Sequence, residues 1–134
     1  MAIYGVGAYY DGDKDVSGDF VRTGLVGVGW EPSDAPELQE YFKSLKVGDI
    51  VYIKAAFGGG DITVKGIGIV RDNTIRRRPD TNDLVSTGRN VAWLNTEHFV
   101  IPRPKEKNNV RNNTIYEEFH PLVQAEIIKR IKGA

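Results

Sequence analysis

Side chains with the reactivity that catalysis needs are few in this 134-residue chain, and they are not spaced for it. Cysteine is absent, which excludes disulfides, thiol nucleophiles, iron–sulfur clusters and thiolate zinc sites. The two histidines, His98 and His120, stand apart and lack the spacing of a metal site. No serine lies in a Gly-x-Ser-x-Gly elbow, and no glycine-rich loop ends in the Lys-Ser/Thr pair that binds nucleotide phosphate. The sequence therefore predicts no catalytic residue, no cofactor and no metal ligand.

Aromatic residues at the ends of predicted strands are better placed to bind a ligand. Trp30 closes an apolar segment and is followed at once by the polar start of a predicted helix. A flat ring at a strand end can stack on a planar ligand such as a base, and it can equally close the core under the helix. Phe57 also ends a strand and is open to the same two interpretations, and Tyr9 or Tyr10 must face outward. Trp93 stands in the middle of a strand and is predicted to be a packing residue.

The formal net charge is zero, but the charges are unevenly distributed along the chain. Residues 1–70 carry 6 Lys and Arg against 10 Asp and Glu, whereas residues 71–134 carry 12 against 8. A basic half of this kind can bind phosphate, or it can be an ordinary solvated surface. The residues predicted to contact phosphate are five arginines of this half: Arg71, Arg76, Arg77, Arg78 and Arg89.

The order of the predicted elements indicates an α+β domain that spans residues 1–134. One helix is predicted from Ser33 or Asp34 to about Lys46, and a second begins at a capping box formed by Thr114 and Glu117. A long loop is predicted between them at 72–88. Strands are predicted at 3–10, 20–30, 50–57, 62–70, 90–95 and 98–101. One helix between strands is too few for a doubly wound parallel sheet, so the sequence predicts a strongly curved mixed sheet or small barrel with flanking helices.

A series of short motifs resembles the PUA-like superfamily, in particular its EVE and YTH branch. Residues 27–30 read Gly-Val-Gly-Trp and precede a helix, and 47–53 read Val-Gly-Asp-Ile-Val-Tyr-Ile, a Gly-Asp turn that opens a strand. Residues 64–70 have the Gly-x-Gly-x-Val pattern of the following strand. A strand with Val-x-Trp at 90–95 and its exit at 99–102 complete the series. The resemblance covers about residues 20–102, and its specificity lies in the order and spacing of the motifs.

The resemblance implies a curved sheet that closes on itself and a pocket for a base swung out of its strand. In YTH and EVE domains aromatic side chains cage that base, and Trp30 matches one cage position. The second wall of the YTH cage comes from the loop before the Val-x-Trp strand, where this sequence has no aromatic residue. Tyr10, Tyr52 and Phe57 are the substitutes that the sequence offers for that wall.

These observations predict a nucleic-acid reader that accommodates a base of DNA or RNA, modified or not, and performs no catalysis. A protein-interaction module on the same fold is an alternative, as is a small hydrolase or nuclease that uses scattered Asp and Glu residues with a divalent metal. A reader would bind oligonucleotides without consuming them, and an interaction module would not bind them. A nuclease would cleave them, and EDTA would stop the cleavage. The chain has no signal peptide and no apolar run of about 20 residues, so a cytoplasmic protein without a membrane span is expected.

Overall fold

A mixed β-sheet with helices packed beside it forms the body of the protein. The structure, a computed structural model, describes residues 1–10, 14–56, 60–106 and 113–132. In this part of the chain the elements follow in the order β1 (Ile3–Gly7), β2 (Tyr9–Tyr10), β3 (Lys14–Asp15), α1 (Ser17–Thr23), β4 (Leu25–Val28), α2 (Pro36–Ser44), β5 (Ile50–Ala55), β6 (Ile62–Arg77), β7 (Thr87–Asn95), β8 (Phe99–Ile101), β9 (Ile115–Glu117) and α3 (Pro121–Lys132).

The main sheet has the strand order β4-β7-β6-β5-β1-β9, and β8 pairs with the first part of β6. Among the described strands, β1 and β5 form the one parallel pair, and the other pairs are antiparallel. The predicted α+β class, with a mixed sheet and flanking helices, is therefore confirmed. Within the described residues β4 and β9, at the two ends of the order, do not pair with each other, so the sheet does not close into the predicted small barrel.

Two hydrophobic cores lie against the sheet, because successive side chains of a strand point to opposite faces. Val51 and Ile53 of β5 contribute to one core, and Ile50 and Tyr52 contribute to the other. The first core includes Phe20 of α1 with Phe42 and Leu45 from α2 and its end. The second includes Val123 and Ile127 of α3. Helices α1 and α2 thus cover one face of the sheet, and α3 covers the other.

The segment predicted as a strand at 20–30 begins instead as a helix. Residues Ser17–Thr23 form α1, and the strand β4 starts only at Leu25. Gly24 separates them in the left-handed conformation, at φ +69°, and donates its N–H to the carbonyl of Phe20. A glycine tolerates this conformation without strain, so it ends the helix and turns the chain into the sheet.

The long loop predicted at 72–88 is shorter than expected, because both of its ends belong to the sheet. Strand β6 continues to Arg77, and β7 resumes the pairing at Thr87, which leaves a connection of residues 78–86. The register shifts between Val70 and Ile75, so β6 carries a bulge where its apolar alternation stops. Beyond this bulge the side chains are mostly polar, so the sequence shows no strand pattern there. The segment is a strand because its backbone pairs with β7.

Both predicted helix caps are wrong. Helix α2 begins at Pro36 after Ala35, without a side-chain cap from Ser33 or Asp34. At the C-terminal end, Ile115–Glu117 is the edge strand β9 beside β1, and α3 begins at Pro121. Proline fits the first turn of a helix because its missing N–H would have no partner there.

The Gly-Asp turn before β5 has a clear structural role. Gly48 has a φ of +92°, a conformation that other residues rarely adopt. The buried carboxylate of Asp49 accepts the N–H of Lys46 at 2.8 Å and that of Ala2 at 3.1 Å. The turn therefore connects the end of α2 to the start of β1 and satisfies two backbone donors.

Candidate functional site

Trp30 lies two residues after β4 and presents its indole to solvent. The residue is 59% exposed, although its backbone is firmly held. The Ser86 hydroxyl donates to the Trp30 carbonyl at 2.5 Å, and the Gln39 side-chain amide donates to it at 3.2 Å. Both donors are buried and come from other elements, the end of the 78–86 connection and α2. The exposure of Trp30 excludes the core interpretation, and the hydrogen bonds hold its backbone at the surface.

Tyr10 supports the backbone next to Trp30. Its ring lies against Gly29, where an added Cβ would come within 2.7 Å of the tyrosine Cζ. Its hydroxyl donates to the Leu84 carbonyl at 2.5 Å, and burial raises the Tyr10 pKa above its usual range. Tyr10 thus lies against the residue that precedes Trp30, and its ring and hydroxyl already contact Gly29 and Leu84.

The hairpin of β2 and β3 that carries Tyr10 is tied to the main sheet by Lys65. The Lys65 ammonium donates to Asp15 Oδ2 at 2.7 Å and to the Tyr9 hydroxyl at 3.0 Å. Burial alone would raise the pKa of Asp15, but hydrogen bonds from Lys65 and Ser17 outweigh it and lower that pKa to about 2. The carboxylate therefore stays charged, and the hairpin stays attached, over the whole neutral range.

Tyr52 does not line a surface pocket. It is completely buried in the second core, where its hydroxyl lies 2.7 Å from the Tyr116 hydroxyl. The Tyr52 hydroxyl also donates to Glu118 Oε1 at 2.7 Å, and burial raises the Tyr52 pKa far above its usual range. The predicted base-binding role of Tyr52 is therefore corrected to a buried structural one. Phe57, the remaining predicted pocket residue, lies outside the described residues.

The arginine triplet divides into one exposed and two engaged side chains. Arg77 is exposed and makes no hydrogen bond or ion pair with another residue that the structure describes. Arg76 donates to Asn90 Oδ1 at 2.8 Å and is half-buried. Arg71, earlier on β6, is exposed, with its Nε 4.0 Å from Asp72. Arg71 and Arg77 are therefore the predicted phosphate contacts that solvent can reach most easily.

Arg78 links residues 29–31, the Trp30 segment, to the 78–86 connection. Its guanidinium donates to Glu31 Oε1 at 2.5 Å and to the Gly29 carbonyl at 3.0 Å, and it lies 3.7 Å from Asp83. The side chains of Glu31 and Asp83 are 65% and 83% exposed, so they add negative charge around Arg78. The surface around Trp30 is therefore mixed in charge.

Arg89 is a structural residue and not a phosphate contact. It is 1% exposed, and its guanidinium lies under the C-terminal end of α2. The carbonyls that accept its hydrogen bonds are those of Phe42 (3.1 Å), Lys43 (3.4 Å), Asp72 (2.8 Å) and Leu45. A cation at a helix C-terminus meets the carbonyls that the helix itself leaves without donors. The prediction that Arg89 contacts phosphate is corrected accordingly.

Two buried charged residues in the second core, Lys54 and Glu118, were not predicted from the sequence. Lys54 is 7% exposed beside Tyr116, with its ammonium 5.6 Å from the ring centroid, and burial lowers the Lys54 pKa to about 8. Glu118 is 2% exposed and accepts the N–H of His120 at 3.0 Å. The signal that could have located this group is the lysine inside the apolar run of β5. Over the described ranges no three acidic or histidine side chains are placed to hold a metal ion.

The protein was compared with known proteins. No protein-family model matches the chain, and no curated protein matches it. In the described part of the chain, no helix is both long and apolar enough to span a membrane.

Proposed function

We propose that this chain is a PUA-like domain of the EVE and YTH type that binds nucleic acid without chemical change, stacking a base on Trp30. The observation that carries the proposal is the exposed indole on a backbone held by Ser86 and Gln39. The motif order of residues 20–102 supports the family assignment. The α+β architecture, with a mixed sheet and flanking helices, agrees with it at the level of fold class.

An exposed indole on a held backbone is well suited to stacking. Stacking of a base on an aromatic side chain contributes about 1–3 kcal/mol and tolerates any base sequence. The ring already projects from a fixed backbone, so binding loses little conformational freedom on the protein side. Tyr10 is engaged with Gly29 and Leu84, and Tyr52 is buried. Trp30 alone therefore provides the stacking surface, without a closed aromatic cage.

Arg77 is the best candidate for a phosphate contact near this ring. Val28 and Arg77 are both paired with Thr87, from opposite sides, so they lie in one row across the sheet. Two strand spacings separate their backbones, which is about 10 Å. Arg77 thus lies on the same end of the sheet as the strand that leads to Trp30, and it has no ion pair with another residue that the structure describes.

A protein-interaction module is the second candidate function. Glu31 and Asp83 place exposed carboxylates around Arg78, which binds the Gly29 carbonyl just before Trp30, and such a surface also fits a basic peptide segment. In that case a lysine- or arginine-rich peptide would bind at Trp30, and oligonucleotides would not.

Replacing Trp30 by alanine tests the proposal. We expect single-stranded oligonucleotide binding to weaken by about 1–3 kcal/mol, roughly 5- to 150-fold in Kd. Unfolding free energy should change by less than about 0.5 kcal/mol, because the side chain is exposed. Fluorescence anisotropy with labelled single-stranded DNA and RNA measures the first quantity, and urea denaturation measures the second.

Phe119→Ala is the matched control, since Phe119 is an exposed aromatic residue (71%) outside the Trp30 segment. It should leave oligonucleotide affinity unchanged. A Trp30→Ala protein that folds and binds oligonucleotides as tightly as the wild type would refute the stacking role. Binding of a basic peptide instead of oligonucleotides would favour the second candidate, and oligonucleotide cleavage that EDTA stops would indicate a nuclease.

Replacing Arg77 by alanine tests the phosphate contact. The variant should weaken binding about equally for all oligonucleotide sequences. It should also reduce the slope of log K against log salt by about one, as expected for the loss of one phosphate contact. Arg22→Ala, at the exposed Asp19 pair on α1, serves as the control. An unchanged slope in Arg77→Ala would show that Arg77 is an ordinary solvated residue.

A further inference from the structure

Helix α3 has apolar residues on both of its sides. Val123 and Ile127 face the second core and are completely buried. On the opposite side Leu122, Ala125 and Ile128 follow one another at spacings of three, which places them on one face. Leu122 is 72% exposed and Ile128 is 41% exposed. Nothing in the described part of the chain covers this face.

The charges on the same face all have one sign. Lys129 lies one turn beyond Ala125 and Lys132 one turn beyond Ile128, so these four residues share one exposed surface of the helix. Neither lysine forms an ion pair with a residue that the structure describes. The helix has one acidic residue, Glu126, and it is occupied by Arg130 at 3.2 Å. The outer face of α3, defined by Leu122, Ala125, Ile128, Lys129 and Lys132, is therefore apolar and positively charged.

We infer that the outer face of α3 docks an acidic amphipathic helix of a partner protein. Such a helix places apolar side chains against Leu122 and Ile128 and carboxylates against Lys129 and Lys132. A partner helix packs against apolar anchors at this helical spacing, and complementary charge selects the partner and its orientation. Over its 12 residues α3 is about 18 Å long, which provides three turns for such contacts.

The arrangement of charges distinguishes this partner from two others. A second copy of the chain would bring the same face against itself, and that face holds no free carboxylate to meet the lysines. A helix that lies on a membrane keeps its basic groups on the polar side, apart from the apolar residues that enter the lipid. Here the lysines alternate with the apolar residues along one face, so flat contact would push the ammonium groups into the hydrocarbon.

The test uses the full chain and two synthetic helical peptides of about 15 residues, a length at which isolated helices begin to be stable. One peptide has leucines at helical spacing flanked by glutamates, and its twin has lysine in place of every glutamate. We expect the acidic peptide to bind at least about tenfold more tightly than the basic one. The double variant Leu122→Ser with Ile128→Ser should weaken acidic-peptide binding by about tenfold or more. The double variant Lys129→Glu with Lys132→Glu should reverse the preference between the peptides.

Val47→Ser, at another exposed apolar residue (53%), should bind the acidic peptide like the wild type. Circular dichroism melts of every variant establish that it is folded. Equal binding of the two peptides, or no binding of the acidic one, would overturn the inference. So would a dimer in sedimentation velocity that Leu122→Ser dissolves, which assigns the face to a second copy. Binding to phosphatidylserine vesicles that the Leu122→Ser variant loses would likewise overturn it in favour of a membrane surface.

Discussion

Replacement of Arg89 by alanine is expected to lower the free energy of unfolding by about 3 kcal/mol or more. The guanidinium donates to three carbonyls at the end of α2 and to the Asp72 carbonyl, and these groups have little access to water. Each buried acceptor left without a donor costs about 1–3 kcal/mol, and the vacated volume adds a cavity. Urea denaturation followed by tryptophan fluorescence measures the loss.

Arg71→Ala is the matched control, because Arg71 is an exposed arginine on the same sheet. Its unfolding free energy should stay within about 0.5 kcal/mol of the wild type. Arg89→Lys should fall between the two, since an ammonium keeps the charge but cannot reproduce the planar fork of donors. A fully stable Arg89→Ala protein would show that water can enter and satisfy the end of α2.

Replacement of Gly27 by alanine is expected to cost about 3 kcal/mol of unfolding free energy, the upper part of the range for overpacking. An added Cβ would lie 2.5 Å from the Thr87 carbonyl oxygen and 2.7 Å from Val85 Cγ1. The first of these is a backbone atom of the paired strand, so it cannot turn aside as the tip of a side chain can. Thermal melts and urea denaturation measure the effect.

Gly18→Ala is the control for Gly27→Ala. An added Cβ at Gly18 meets nothing within 4 Å, and the residue lies in α1. Alanine favours a helix over glycine by up to about 1 kcal/mol, so this variant should be as stable as the wild type or more stable. A Gly27→Ala protein with wild-type stability would mean that β4 and β7 can separate without loss of packing.

The elements that could be predicted from the sequence are those set by local pattern. Strands β5 and β6 follow from the two apolar segments predicted as strands at 50–57 and 62–70, and they pair antiparallel. Helix α2 follows from apolar residues at spacings of three and four after a proline. By contrast, β9 is three residues long and exists because it pairs with β1, which is far away in the sequence. No local pattern marks such a strand.

The candidate site could be predicted in position but not in detail. The end of the strand before α2 identified Trp30, yet the choice between core and surface depends on Ser86 and Gln39, which reach its carbonyl from other elements. Alternation along β5 shows that Tyr52 faces away from Val51, but it does not show that α3 covers that side. Arg89 illustrates the same limit. The sequence shows only an arginine in the basic half of the chain, and it does not show that this arginine is buried against the end of α2.

The position of β1 inside the sheet has a consequence for how the chain folds. Ile3 pairs with Ile50, and Val6 pairs with Ile115, so neither neighbour of β1 is close to it in the sequence. Two long loops must close before β1 is fully hydrogen-bonded, and folding rates fall as such non-local pairing increases. During synthesis on the ribosome, β1 emerges before β5 and β9 and keeps an unpaired edge until β9 has followed. Until then that edge is open to strand addition by another molecule.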